Sequence, residues 1–190
     1  MSEDDDLRAQ LERLTGNARV ALGLACAARA SEAFGGGAAP RDISGRVEEA
    51  LRDAWAWEAG RAVTPRRLYE HVHPLLAFER RPEVSAEPRR LDALFAVVSA
   101  LYFATRAADG WAFQRDGEPA EPLPNDIAEV SLQTLVECMD YAARAADDEE
   151  AERRRQRVAL GRLLREHAAG SPGEWGEAVA PEYFEAASKL

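Results

Sequence analysis

The sequence predicts an all-α fold, a compact bundle of about seven to nine helices in a single domain over residues 1–190, and three observations predict it. Apolar residues recur at helical spacing almost throughout, and no stretch keeps the period-two alternation of a strand. Ser, Thr, Asn and Asp stand where helices should start, and Gly or Pro where they should stop. With 46% hydrophobic and 31% charged residues in 190, the chain is globular in composition and long enough to bury a core, which excludes disorder over most of its length.

A flexible segment over residues 1–6 runs into a short helix over 4–14, with acids in the opening turn where the helix dipole favours them. Thr15-Gly16-Asn17 breaks it, and Asn17 is placed to cap a second helix to Phe34, which Gly35-Gly36-Gly37 stops. Residues 20–28 are uncharged on every side and must lie inside the bundle. Ser44 caps a third helix to Ala59, and Gly60 ends it. There Val47, Ala50, Leu51 and Ala54 form the apolar stripe, while Trp55 and Trp57 flank the seam with their N–H groups near the surface.

Thr64-Pro65 is a cap followed by proline at the first helical position, opening a helix through Leu76 that Pro74 should kink or end early. Pro82 and Pro88 bound a loop, and Pro88 opens a fifth helix to Asp109, stopped by Gly110. Leu91, Leu94, Phe95, Val98, Leu101 and Tyr102 make one face of it, yet no charge interrupts residues 93–105, so it is the central helix. That 13-residue run is shorter than the roughly 20 a bilayer requires, and no helix is expected to span a membrane. An exposed loop over 115–124 follows. Asn125 caps a sixth helix to Ala146 that turns Ile127, Val130, Leu135, Cys138, Met139 and Tyr141 inward. Asp147 and Glu150 have capping-box spacing for a seventh, to Ala169, and Ser171-Pro172 and Pro181 mark two short terminal helices.

Catalytic patterns are scarce. His71 and His73 lie two apart on a helix and so point away from each other, which argues against joint metal binding; His167 sits where an imidazolium complements a helix C-terminus. There is no paired Glu-x-x-His, no phosphate loop after a strand and no Gly-x-Ser-x-Gly. Cys26 and Cys138 fall in apolar helical patterns and read as free buried thiols. No catalytic residue, metal or cofactor is expected. Of the 24 basic residues only Lys189 is lysine, a usage that resembles a GC-rich bacterial genome.

The net charge of −10 is concentrated: residues 91–152 hold 14 acids against Arg106, Arg115 and Arg144. Such a field repels nucleic acid and steers a basic partner. The basic run Arg153, Arg154, Arg155 and Arg157 adjoins Asp147, Asp148, Glu149 and Glu150, so it reads as a solvated helix start and not as a nucleic-acid contact.

Arg19-x-Ala21-Leu22, Ala25-Cys26-Ala27, a Gly-rich gap, Asp42, Glu49-Ala50-Leu51, Ala54-Trp55-x-Trp57 and Gly60 together resemble the opening of the all-helical immunity proteins of bacterial polymorphic-toxin systems, in particular immunity protein family five. The gap of 35–40 departs from that pattern, being mostly Gly and Ala where an acidic, proline-containing segment is expected. The resemblance implies a non-catalytic cytoplasmic protein that binds and neutralises a cognate toxin. The expected partner surface combines the loop acids Asp116, Glu118 and Glu121 with Asp147, Asp148, Glu149 and Glu150 into one acidic face, with Trp55 and Trp57 as the next candidates. A ligand-binding or catalytic bundle with its site in the core, and a homo-oligomeric scaffold, are the alternatives; co-purification from the native host would separate the three. The acidic N-terminus, Met-Ser-Glu-Asp-Asp-Asp, is unlike an export signal and agrees with the cytoplasm.

Overall fold

The computed structural model describes residues 3–35, 40–60, 63–117, 122–171 and 173–187. Ten α-helices are seen among them: α1 (Glu3–Glu12), α2 (Gly16–Ala30), α3 (Arg41–Glu58), α4 (Pro65–Leu76), α5 (Pro82–Ser85), α6 (Pro88–Asp116), α7 (Asn125–Ala128), α8 (Leu132–Ala145), α9 (Glu149–Glu166) and α10 (Glu182–Ala187). Two 3₁₀ turns, Ser31–Phe34 and Ala77–Arg80, extend α2 and α4. The fold is all-α, with a single isolated bridge between Leu14 and Ala168 among the described residues.

The 29-residue α6 is the axis of the bundle, packed by α2, α4 and α8. Leu94, Val97 and Leu101 are fully buried, as is the alanine ridge Ala93, Ala96, Ala100 and Ala104. By length and apolar content α6 could cross a bilayer, but 61% of its most apolar stretch is buried against its neighbours, as in the core helix of a bundle. Small residues let those neighbours approach. Cys138 of α8 sits where α2, α6 and α8 meet, its thiol donating to Ala96 O at 3.3 Å and Gly23 O at 3.6 Å. Both cysteines are buried and free.

Several boundaries differ from the sequence expectation, each for a local reason. α1 takes in residues 3–6, expected to be flexible. Thr15, not Asn17, caps α2 through Ala18 N, and the Asn17 side chain instead donates to Gly176 O. α3 starts behind Pro40, so Ser44 lies within it and donates to Phe34 O. Thr64 and Pro65 open α4 as expected, and the helix passes Pro74 by two residues before tightening into its 3₁₀ turn. The segment after Pro82 forms α5 instead of a loop. Gly110 does not stop α6. It lies under the Trp175 ring, and the helix ends at Gly117, whose φ of 76° is the left-handed conformation that favours glycine. The expected sixth helix is two: α7 follows Pro124, and Ser131 with Thr134 forms a capping box that restarts the chain as α8. Asp148, one residue later than expected, caps α9, which ends at His167. Residues 173–181 are not helical, so one terminal helix is seen where two were expected.

That non-helical segment is a strap. It crosses the start of α2, where Gly16 N and Asn17 N, groups with no partner inside the helix, donate to Glu174 O and Trp175 O at 2.8 and 2.9 Å. Trp175 lies over Gly16 so closely that a Cβ there would come within 2.5 Å of the ring. Farther on, Val179 N donates to Glu58 Oε1 at 2.8 Å. Glu58 is 3% exposed, and burial pushes its carboxyl up to about 7 against the pull of that N–H group.

A carboxyl whose value is raised on folding supports the fold fully in acid. That support is lost as pH climbs from the ordinary value near 4.5 through 7, because the unfolded chain ionises first. Glu58→Gln should therefore be more stable than the parent at pH 8, by on the order of 3 kcal/mol, with the gap closing near pH 4. Urea denaturation across that pH range checks it, and a gap constant with pH would contradict it.

Candidate functional site

A cavity of about 690 Å³ is an open cleft at the end of the bundle where α6 begins. Alanines make its floor: Ala25 and Ala28 of α2, Ala142 and Ala145 of α8, and Ala151 of α9. Trp55 of α3 and Phe184 of α10 form an aromatic wall, their ring centroids 6.4 Å apart. Charged side chains from four elements complete it.

At its base Arg29 grips Glu152. The guanidinium Nε is 3.0 Å from both carboxylate oxygens and Nη2 is 2.7 Å from Oε1, a multidentate pair across 123 residues of sequence. Glu152 is 2% exposed and also accepts from Gln156 Nε2, which in turn donates to Met139 O at 2.9 Å. Arg155 stands 3.7 Å from its other oxygen. Arg29 Nη2 also reaches Cys26 Sγ at 3.6 Å, but burial pushes that thiol up to about 11, offset only in part by Arg29, so it stays protonated and unreactive at neutral pH. On the rim, Arg89 donates to Ala145 O at 2.8 Å and pairs with Asp147, tying the end of α8 to the start of α9.

The cleft brings together Trp55, Asp147 and Asp148. Glu149 and Glu150 follow on the exposed first turn of α9, paired with Arg153 at 2.8 Å and Arg157 at 3.1 Å. Trp57 is elsewhere: it is 8% exposed and meets Trp175 edge to face, so its ring is covered and does not flank an open seam. Asp116 closes α6, and Glu118 and Glu121 lie outside the described residues. Because Arg89 near the start of α6 holds Asp147, Asp116 is 27 residues along the helix from that contact, about 40 Å at 1.5 Å per residue. Asp116, the only one of the three loop acids whose backbone is described, therefore stands at the far end of α6 from Asp147.

His71 and His73 also separate. His71 is buried with Nε2 2.8 Å from Asp53 Oδ2, while exposed His73 meets the Tyr69 hydroxyl at 2.9 Å. Among the described residues no three His, Cys, Asp or Glu side chains are grouped to hold a metal ion. A cluster that sequence reading missed joins Tyr69, Tyr102 and Asp126, whose carboxylate accepts from both hydroxyls at 3.2 and 3.1 Å and pins α7 to α4 and α6. Burial and Asp126 together push Tyr102 up to about 12.

No protein-family model matches the chain, and no curated protein and no solved structure matches it.

Removing one partner of a buried pair strands the other's charge, whereas removing both relieves the desolvation of each. Glu152→Ala should cost about 3–5 kcal/mol, and Arg29→Met combined with Glu152→Met should cost less than Glu152→Ala alone. Chemical denaturation of these two variants and of the single changes Arg29→Met and Glu152→Met checks this. A double variant as unstable as the sum of its single changes would show that the pair is not coupled.

Proposed function

We propose that this is a non-catalytic bacterial immunity-type protein of the cytoplasm that binds and neutralises a cognate, basic toxin domain through the cleft end of its bundle. The observation that carries the reading is the convergence of Trp55 with Asp147 and Asp148 on one open cleft, an aromatic anchor beside carboxylates. The segment that resembles immunity proteins, 17–60, contains α3 and nearly all of α2, the hairpin that supplies Arg29 and Trp55 to this cleft. Three of the four arginines at the start of α9 are paired with acids, which supports a protein partner over nucleic acid. A second reading, a small-molecule site, is favoured by the cleft volume, which lies within the roughly 300–1,000 Å³ of ligand pockets.

The test is association with the toxin domain encoded beside the gene, measured by surface kinetics at about 0.05 and 0.5 M salt, between which the Debye length shrinks severalfold. Asp147→Asn, Glu149→Gln and Glu150→Gln in one variant remove rim charge while leaving the Asp148 cap in place. The variant should associate several-fold more slowly than the parent at low salt and nearly equally at high salt. No association of the parent at micromolar concentration, or a variant as fast as the parent at both salts, would overturn the reading.

A further inference from the structure

The charges lining the cleft do not cancel. Three arginines, Arg29, Arg89 and Arg155, line it against four carboxylates, Glu32, Asp147, Asp148 and Glu152; Glu152 holds Arg29 and Asp147 holds Arg89, while Arg155 stands 3.7 Å from the already paired Glu152. Two lining carboxylates face no cation among the described residues. Glu32 is exposed on the 3₁₀ turn after α2, and Asp148 uses one oxygen to accept from Ala151 N at 2.9 Å. The half-buried Trp55 lines the same open volume.

We propose that this cleft accepts a guanidinium or ammonium group, an arginine or lysine side chain on the partner protein, which lies against the Trp55 ring and pairs with Glu32 and Asp148. The inference rests on the protein-binding reading above and names what that partner presents. An anion entering here would meet a lining with one negative charge in excess, and an apolar segment would strip water from two exposed carboxylates with nothing in return. A cation satisfies both carboxylates and gains the attraction of the indole face, an interaction that strengthens as the site is desolvated. The Arg29–Glu152 pair supplies a fixed floor: because Glu152 already holds Arg29, it does not compete for the incoming cation.

The probe is N-acetyl-arginine amide titrated into the ¹⁵N-labelled full chain, with N-acetyl-citrulline amide as its neutral isostere. The arginine amide should shift the Trp55 indole N–H and the backbone amides of 28–33 and 147–152 at millimolar concentration, and the citrulline amide should not. Glu32→Gln with Asp148→Asn should weaken the titration at least about tenfold, since each removes a charged contact. Asparagine caps helices as well as aspartate does, so unchanged resonances elsewhere will show that α9 is intact. Equal shifts from the citrulline amide, no shift at these positions, or an unweakened double variant would each overturn the proposal. A toxin domain that binds a chain indifferent to the arginine amide would sink this inference and leave the function standing. An arginine amide that titrates into a chain that no toxin domain binds would do the reverse.

Discussion

A helix that carries no charge for 13 residues has to be covered on all sides, and the bundle is arranged by how α6 is covered. α2, α4 and α8 supply that cover. The alanines of α6, Gly23 of α2 and the small Cys138 of α8 let backbones approach closely, which raises the number of dispersion contacts per residue where side chains alone bury little area. With the middle of α6 sealed, its two ends are built differently. At its C-terminal end the strap closes over the start of α2 and lays Trp175 on Gly16, while at its N-terminal end the chain leaves a cleft.

The charged groups at the base of the cleft satisfy one another. Arg29 and Glu152 neutralise each other at the base, Gln156 bridges Glu152 to the α8 backbone, and Arg89 fixes the α8–α9 corner. A carboxylate as buried as Glu152 is tolerable only while that network holds. The strap delivers Pro181 and Phe184 to the same cleft and is itself tethered by Glu58, so the aromatic wall depends on residues far from the charged one.

Much of the fold was legible in the sequence because helices announce themselves locally. The periodicity of α6, the Thr64-Pro65 start of α4 and the acids opening α9 are short-range features, and each appears where the sequence places it. Errors came where a residue type has two uses. Gly110 reads as a helix stop but lies within α6 beside Trp175, and Ser44 reads as a cap but ties α3 to the turn before it. The site was less legible. A linear sum over 91–152 gives an acidic surplus, yet Glu152 pairs with Arg29, Asp147 with Arg89 and Glu149 with Arg153, partners that a window along the chain leaves out. Trp55 and Trp57 have the same spacing from the seam, and only the position of the strap decides that one is covered by Trp175 and the other faces the cleft.

The central claim is that one end of α6 is specialised for a partner. Hydrogen–deuterium exchange on the full chain, free and saturated with the proposed toxin partner, tests it most directly, since amides covered by a partner slow their exchange. New protection at residues 28–33, 52–56 and 147–155, with no change at 108–117, is the result this account predicts. Protection at 108–117, where Trp111 and Phe113 are exposed near the far end of the same helix, with the cleft segments unchanged, would contradict it.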